Sequence, residues 1–312
     1  SQDATLTREK VFKDVQINIV NNDALLRNGF IVTSDLLALP SITVHADVPQ
    51  RVYDSVTPAN FNIRLDLSRI TSPGEVTLPV QSTDTISYGT VTRLSVTEVT
   101  VEVEDYITRR RIPVQPIQPA PAEALPDSIY AENAGIDPST VVISGPRSLV
   151  EGIARVVAAY DITRLSPTLG TQYNAVPFML TDTDGREISS PLISVTSENV
   201  LLDTVLVEQT FYPQKSVPVN LSGAFIGQVA PGYKVSSVVA SPGSVRVAGN
   251  AEALNNISMV DLASPVDVNG MMETIIRAVK VMKPADAVNI NENAVYVTVE
   301  IRPVSPVDQD VP

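Results

Sequence analysis

One pattern occurs three times along this chain, and it constrains the fold more than composition does. Each occurrence opens with a short alternating stretch: Val15-Gln16-Ile17-Asn18-Ile19, then Ile112-Pro113-Val114, then Val217-Pro218-Val219-Asn220-Leu221. From the middle apolar residues Ile17, Val114 and Val219, a proline follows after 23, 24 and 23 residues, at Pro40, Pro138 and Pro242. A second alternating pair comes next: Ile42 and Val44, Val141 and Ile143, Val245 and Val247. Gly145 and Gly249 follow the later two pairs, with Ala46 in the corresponding place of the first. Val150 and Ile153, like Leu254 and Ile257, then stand three residues apart, which predicts a short helix opened by Ser144-Gly145-Pro146 or Gly249-Asn250.

An apolar-Asp-apolar element follows as Leu65-Asp66-Leu67, Tyr160-Asp161-Ile162 and Val266-Asp267-Val268. Long alternating strands close the first and third copies, with Val99, Val101 and Val103, and with Val295, Val297, Val299 and Ile301; the middle copy closes on Val205 and Val207. Alternation of period two with polar partners predicts antiparallel strands with one wet face. Pro113 and Pro218 lack the N–H of a central ladder, so the opening strand is expected at a sheet edge. The expectation is therefore a mainly β chain of three tandem units of roughly a hundred residues each, with one short helix per unit, arranged as an elongated array. The boundaries are 9–106, 107–210 and 211–303, with short junctions at Tyr106 to Arg111 and Phe211 to Lys215 and a disordered tail or linker over 304–312.

Composition narrows the chemistry. The 312 residues hold 22 Lys plus Arg against 35 Asp plus Glu, a net charge of −13, with one His, no Cys and no Trp. Without cysteine there is no Cys-His zinc site, disulfide, iron–sulfur centre or thiol nucleophile. An acidic field opposes phosphate tracking, so no nucleic-acid partner is expected. With 5% aromatic residues, stacking platforms for sugars or cofactors are not expected. No run approaches the ~18 apolar residues of a membrane helix, and no basic segment leads into an apolar one as in a signal peptide.

The remaining candidates read as structural. His45, on the face opposite Ile42 and Val44, has no second His for a metal site, and Asp47 is its expected restraint. Asp66, Asp161 and Asp267 lie a domain apart, too far for an acid–base pair, and are expected to accept turn N–H groups. Asp182, Asp184 and Glu187 with Gly185 partly fit a calcium loop, but Arg186 occupies a ligand position, so a type I′ hairpin turn at Asp184-Gly185 is expected. Arg109, Arg110 and Arg111 form a basic run expected as a solvated junction. Arg147, Lys234 and Tyr233 show no usable partner spacing, and Asn256-Ile257-Ser258 is a glycosylation sequon that matters only in a eukaryotic secretory setting. No catalytic, cofactor-binding or metal-binding residue is assigned.

Phe12-Lys13-Asp14-Val15-Gln16-Ile17, the stretch Pro138 to Pro146, Ser264-Pro265-Val266-Asp267-Val268-Asn269-Gly270 and the hairpin Asp182 to Glu187 together resemble the YbbR repeat, from about Lys10 to Arg302. His45-Ala46 and the prolines Pro116, Pro119 and Pro121 depart from the pattern. The resemblance implies small β-rich domains similar to the C-terminal domain of the ribosomal L25/TL5 proteins, and no catalysis. It implies a single-pass helix ahead of Ser1 that displays the repeats on the outer face of the cytoplasmic membrane. It also implies, as partner, a membrane diadenylate cyclase of the CdaA type, regulated as by CdaR-type proteins in making cyclic di-AMP. The alternative is a structural stalk or cell-envelope binding array with no signalling role. No ligand or cofactor follows from either reading.

Overall fold

The computed structural model describes residues 6–117, 125–162 and 168–305. The expected tail beyond residue 305, and Pro119 and Pro121, lie outside them. The chain divides into two compact units: Ser1–Gln115, Pro138–Ala158 and Pro177–Val205 form the first, and Pro116–Asp137, Ala159–Val176 and Leu206–Pro312 the second. Both are mainly β. Among the described residues no helix is long and apolar enough to cross a membrane.

The first stretch of chain supplies β1 (Thr7–Val15), β2 (Asn18–Val20), α1 (Asn22–Arg27), β3 (Phe30–Val32), β4 (Ile42–Pro49), β5 (Arg64–Asp66), β6 (Gly74–Gln81), β7 (Thr90–Leu94) and β8 (Glu98–Ile117). Next come β9 (Ile129–Ala131), β10 (Gly135–Asp137), β11 (Thr140–Pro146), α2 (Arg147–Val150), β12 (Arg155–Ala159), β13 (Gly170–Thr181), β14 (Ser194–Ser197), β15 (Val200–Leu201) and β16 (Thr204–Asn220). The last stretch holds β17 (Phe225–Ile226), β18 (Tyr233–Ser241), β19 (Ser244–Ala248), α3 (Ala251–Asn255), β20 (Val260–Asp261), β21 (Val266–Asp267), β22 (Ile275–Lys280), β23 (Asn289–Ile290) and β24 (Ala294–Pro303).

The repeat is visible in strand register. Val15 faces Ile42, Ile112 faces Val141 and Val217 faces Val245, each across an antiparallel pair. The closing strands are central within their own sheets: β8 pairs with β3 and β6, and β24 with β18 and β22. Their alternation follows from that position. Val99, Val101 and Val103 are buried, as are Val295, Val297, Val299 and Ile301, while Thr100, Glu102 and Tyr296 face out. In the first unit, β1–β4–β7 and the sheet holding β5, β6 and β8 close over one core, with Val44, Ala46 and Val48 against Leu65, Leu78 and Val101.

Three expectations change. The short junctions expected at 106–111 and 211–215 lie within single strands: β8 and β16 run unbroken through them. The opening strands are not at edges either, since β8 lies between β11 and β12 in the strand order, and β16 pairs with β19 and β20. The prolines fit because of backbone direction. Val114 and Val219 donate N–H to Ser139 and Gly243 carbonyls, and in a strand the adjacent residue's N–H points the other way. Pro218 thus lacks a donor on the side where the parallel partner begins only at Val219, facing Val260. The third change concerns the helices. Those after Gly145 and Gly249 form as expected, but in the first stretch that place holds a 3₁₀ turn, Gln50–Val52, and α1 lies earlier, after β2. Asn250 caps α3 by accepting the Ala253 N–H at 2.9 Å, whereas Glu104 of β8 caps α2 through Ser148.

Candidate functional site

His45 is held by residues other than the expected Asp47. Its Nδ1 lies 2.6 Å from Glu9 Oε1, and its Nε2 lies 2.9 Å from an Arg93 guanidinium nitrogen. A guanidinium only donates, so Nε2 accepts and Nδ1–H donates to the carboxylate. The nitrogen a general base would use is therefore occupied by a cation. Among the described residues no three His, Asp or Glu side chains are grouped to hold a metal ion.

Asp66 and Asp267 close turns, as expected of them. Asp66 Oδ1 accepts the Ser68 N–H at 3.0 Å, the Ser68 hydroxyl at 2.6 Å and the Asn21 amide at 2.8 Å. Asp267 Oδ1 accepts the Asn269 N–H at 2.9 Å. Residues 163–167, just after Asp161, lie outside those described. Asp66 and Asp267 are not equivalent in the repeat, however: Leu65 faces Val80 as Leu262 faces Val281, so the counterpart of Leu65 is Leu262. The last stretch adds a further parallel pair, β17 with β21, and Asp267 belongs to that addition. The Ser68 hydroxyl, then the Asn21 amide, hold the Asp66 carboxyl below its usual 3.8. A lowered folded value means that its contribution is full above the ordinary range and is lost as pH falls through the folded value. Asp66→Ala is expected to cost about 1 kcal/mol at neutral pH, and the gap from wild type should close in acid unfolding curves; a gap constant with pH would refute the assignment.

The basic run divides. Arg110 and Arg111 are exposed, and Arg111 takes φ 57° where two residues of β8 oppose one of β11. Arg109 instead reaches the carbonyls that end the α2 turn, donating to Val150 O at 3.0 Å and to Ile153 O. Lys10 does the same in the first stretch, with Nζ 2.6 Å from Tyr53 O and 3.1 Å from Val56 O. In both places a cation satisfies carbonyls left open at a helical end. Arg109→Met is expected to destabilise by about 2 kcal/mol and Arg110→Ala by under about 0.5; equal denaturation midpoints would refute the distinction. Arg147, unassigned from sequence, pairs with Glu151 at 2.8 Å and Asp105 at 3.3 Å.

The hairpin at Asp182 closes differently from expectation. Gly185 N–H donates to Asp182 O, Asp182 N–H donates to Arg186 O, and Gly185 alone has positive φ, at 81°. That is a three-residue loop ending in a left-handed glycine, not a type I′ turn. The Asp182 carboxylate is taken up by the Asp184 and Arg186 N–H groups at 2.9 Å each. The two-residue turn with both φ positive is Glu198-Asn199, at 49° and 64°, joining β14 to β15. Asn199 between Val195-Thr196-Ser197 and Val200-Leu201 was its sequence signal.

Between these two hairpins the first unit opens a cleft of about 260 Å³. Phe178 and Leu180 of β13, Ile188, Ile193, and Leu201 with Leu202 make most of its apolar lining, and Glu187 stands at it as the one charged residue. Nearby apolar surface is unusually open: Met179 is 41% exposed, Val200 63% and Leu201 72%. Beside the cleft runs β15, the end strand of its sheet. Ser189, Ser190 and Ser194 join Glu187 on its polar side, so the cleft offers mixed apolar and polar contact beside an open strand edge.

Two segments of the chain, residues 112–179 and 217–301, match the YbbR-like protein family. Among solved structures, the chain is similar to a YbbR-like protein from Streptococcus pneumoniae TIGR4, at 15% identity and TM-score 0.34, over 67% of this chain and 97% of that one. It is similar also to SuR18C from Streptococcus thermophilus, at 24% identity and TM-score 0.24, over 30% of this chain and 88% of that one. No curated protein matches.

Proposed function

We propose that this chain, with its two YbbR-like segments, is a non-enzymatic contact module that acts by presenting β surface to a protein partner. The observation that carries the reading is the end strand β15 with its exposed apolar side chains, Leu201 72% and Val200 63% exposed, beside a cleft of mixed lining. Apolar surface adjoining an open edge is a recognised mode of peptide capture. The partner to which the sequence resemblance points is a membrane diadenylate cyclase of the CdaA type. The module's place is then the outer face of the cytoplasmic membrane, on a helix ahead of Ser1. Regulation follows if the module binds one assembly or orientation of the cyclase better than another, since only differential affinity shifts such an equilibrium.

Co-expression of the membrane-anchored protein with its cyclase is the test. Cyclic di-AMP is expected to change about fivefold or more, the lower range of ordinary coupling energies. An unchanged level, with both proteins present in the membrane, overturns the regulatory reading and leaves a structural stalk.

A further inference from the structure

We infer that β15 and its cleft form a strand-addition site for an extended, apolar segment bearing a basic residue. The inference deepens the contact-module reading and rests on it. The backbone comes first. Leu202 N–H turns inward to Val195 O, at 3.0 Å. Leu201, one residue before it, therefore directs its own N–H and C=O to the open side, away from its partner Thr196. β15 is two residues long, and among the described residues no strand lies beyond it. Natural edges are blunted by shortness, by lysine or proline, or by a cover; this one is short, but in place of lysine or proline it carries Val200 and Leu201, 63% and 72% exposed.

The cleft decides what kind of occupant fits. Its 260 Å³ falls below the roughly 300–1,000 Å³ of sites that enclose a small ligand. It suits alternate side chains of a strand laid along β15, whose backbone would pair with Leu201. Charge decides the rest. Glu187 stands at the cleft, Glu198 forms the adjoining turn and Asp203 follows Leu202, all exposed. Arg186 is not part of the lining. A second copy of this chain would set the same carboxylates against one another, within a net charge of −13. A segment from another protein, with a lysine or arginine flanking its apolar residues, has the complementary charge.

The test uses the full chain and two synthetic seven-residue peptides of alternating valine and threonine, one ending in lysines and one in glutamates. Peptide affinity is read by fluorescence anisotropy and hydrogen exchange at the Leu201 amide. The lysine peptide is expected to bind at least tenfold more tightly and to slow Leu201 exchange. Leu201→Pro, which removes the outward N–H at a position where an edge tolerates proline, should weaken it tenfold or more, and Glu187→Lys should reverse the preference. A circular dichroism spectrum matching wild type shows that each variant is folded, and Leu201→Asp provides a second edge variant that keeps the N–H. Absence of binding at millimolar peptide, or binding indifferent to all three variants, overturns the inference. So does a dimer of the free chain that Leu201→Pro dissociates, since the occupant is then a second copy. A cyclase response that persists in Leu201→Pro sinks this site and spares the contact-module reading; loss of the response in wild type sinks the reading itself.

Discussion

Gly89→Ala is expected to destabilise the first unit by about 3–5 kcal/mol, among the larger single-residue effects available in a β domain. Gly89 closes the loop between β6 and β7, exchanging backbone hydrogen bonds with Thr85 at 2.8 and 3.0 Å. Its φ is 110°, and a Cβ there would stand 2.0 Å from Asp47 O and 3.1 Å from Val48 Cα. Both are backbone atoms of β4, whose neighbours Ala46 and Val48 are fully buried, so the obstruction cannot swing aside as a side chain would. Gly29 is the control. It ends α1 at φ 88° with nothing within 4 Å of a Cβ, so Gly29→Ala bears only the left-handed penalty of about 1–2 kcal/mol. Urea denaturation of both variants separates contact from conformation. Equal losses would mean that the β6–β7 loop moves away from β4 at little cost, and would remove the steric argument.

Such loop contacts lie between segments distant in sequence, and that distance separates what could be read from what could not. The closing strands were legible because Val99, Val101 and Val103 must alternate with Thr100 and Glu102 once one face is wet. The recurring spacing from Ile17, Val114 and Val219 to a proline was legible, but not that the opening strand pairs with the strand beyond that proline. By contrast, Arg109-Arg110-Arg111 looked like a solvated junction because the run is short and precedes the apolar alternation of Ile112 and Val114; here one of them bonds the α2 carbonyls, and the bulge at Arg111 lets the other two face water. Parallel pairings such as β2 with β5 leave no local signature, so Asp66 and Asp267 were aligned by resemblance of tripeptides when Leu65 corresponds to Leu262. The cleft was illegible for the same reason. Phe178, Ile188, Ile193 and Leu201 each read as an ordinary apolar residue of its own strand or loop, and only their convergence leaves a surface uncovered.

Gln209 shows a further limit of pattern reading, and its replacement is the second large effect expected. In β16 the positions Val207, Gln209 and Phe211 face inward, so a glutamine stands where alternation demands an apolar side chain, and it is 0% exposed. Nothing in its neighbours marks it as buried and polar. Every polar group on it is satisfied: Oε1 accepts from the Tyr160 hydroxyl at 3.1 Å, and Nε2 donates to Glu132 O at 2.7 Å and Thr210 O at 3.1 Å. Burial pushes the Tyr160 phenol up, which keeps its proton available for that bond. Gln209→Leu fills similar volume but strands one hydroxyl and removes a partner from two carbonyls, so a loss of about 2–4 kcal/mol is expected. Tyr160→Phe strands only the glutamine oxygen and should cost about 1 kcal/mol; combined with Gln209→Leu it should cost less than the sum, because the two share a bond. Gln209→Glu should be worse than Leu at neutral pH, since a buried carboxylate faces two carbonyl oxygens with no donor. It should recover partly in acid, where protonation restores one. Guanidinium denaturation across that pH range measures the series, and a Gln209→Leu variant as stable as wild type would show that the glutamine merely fills space.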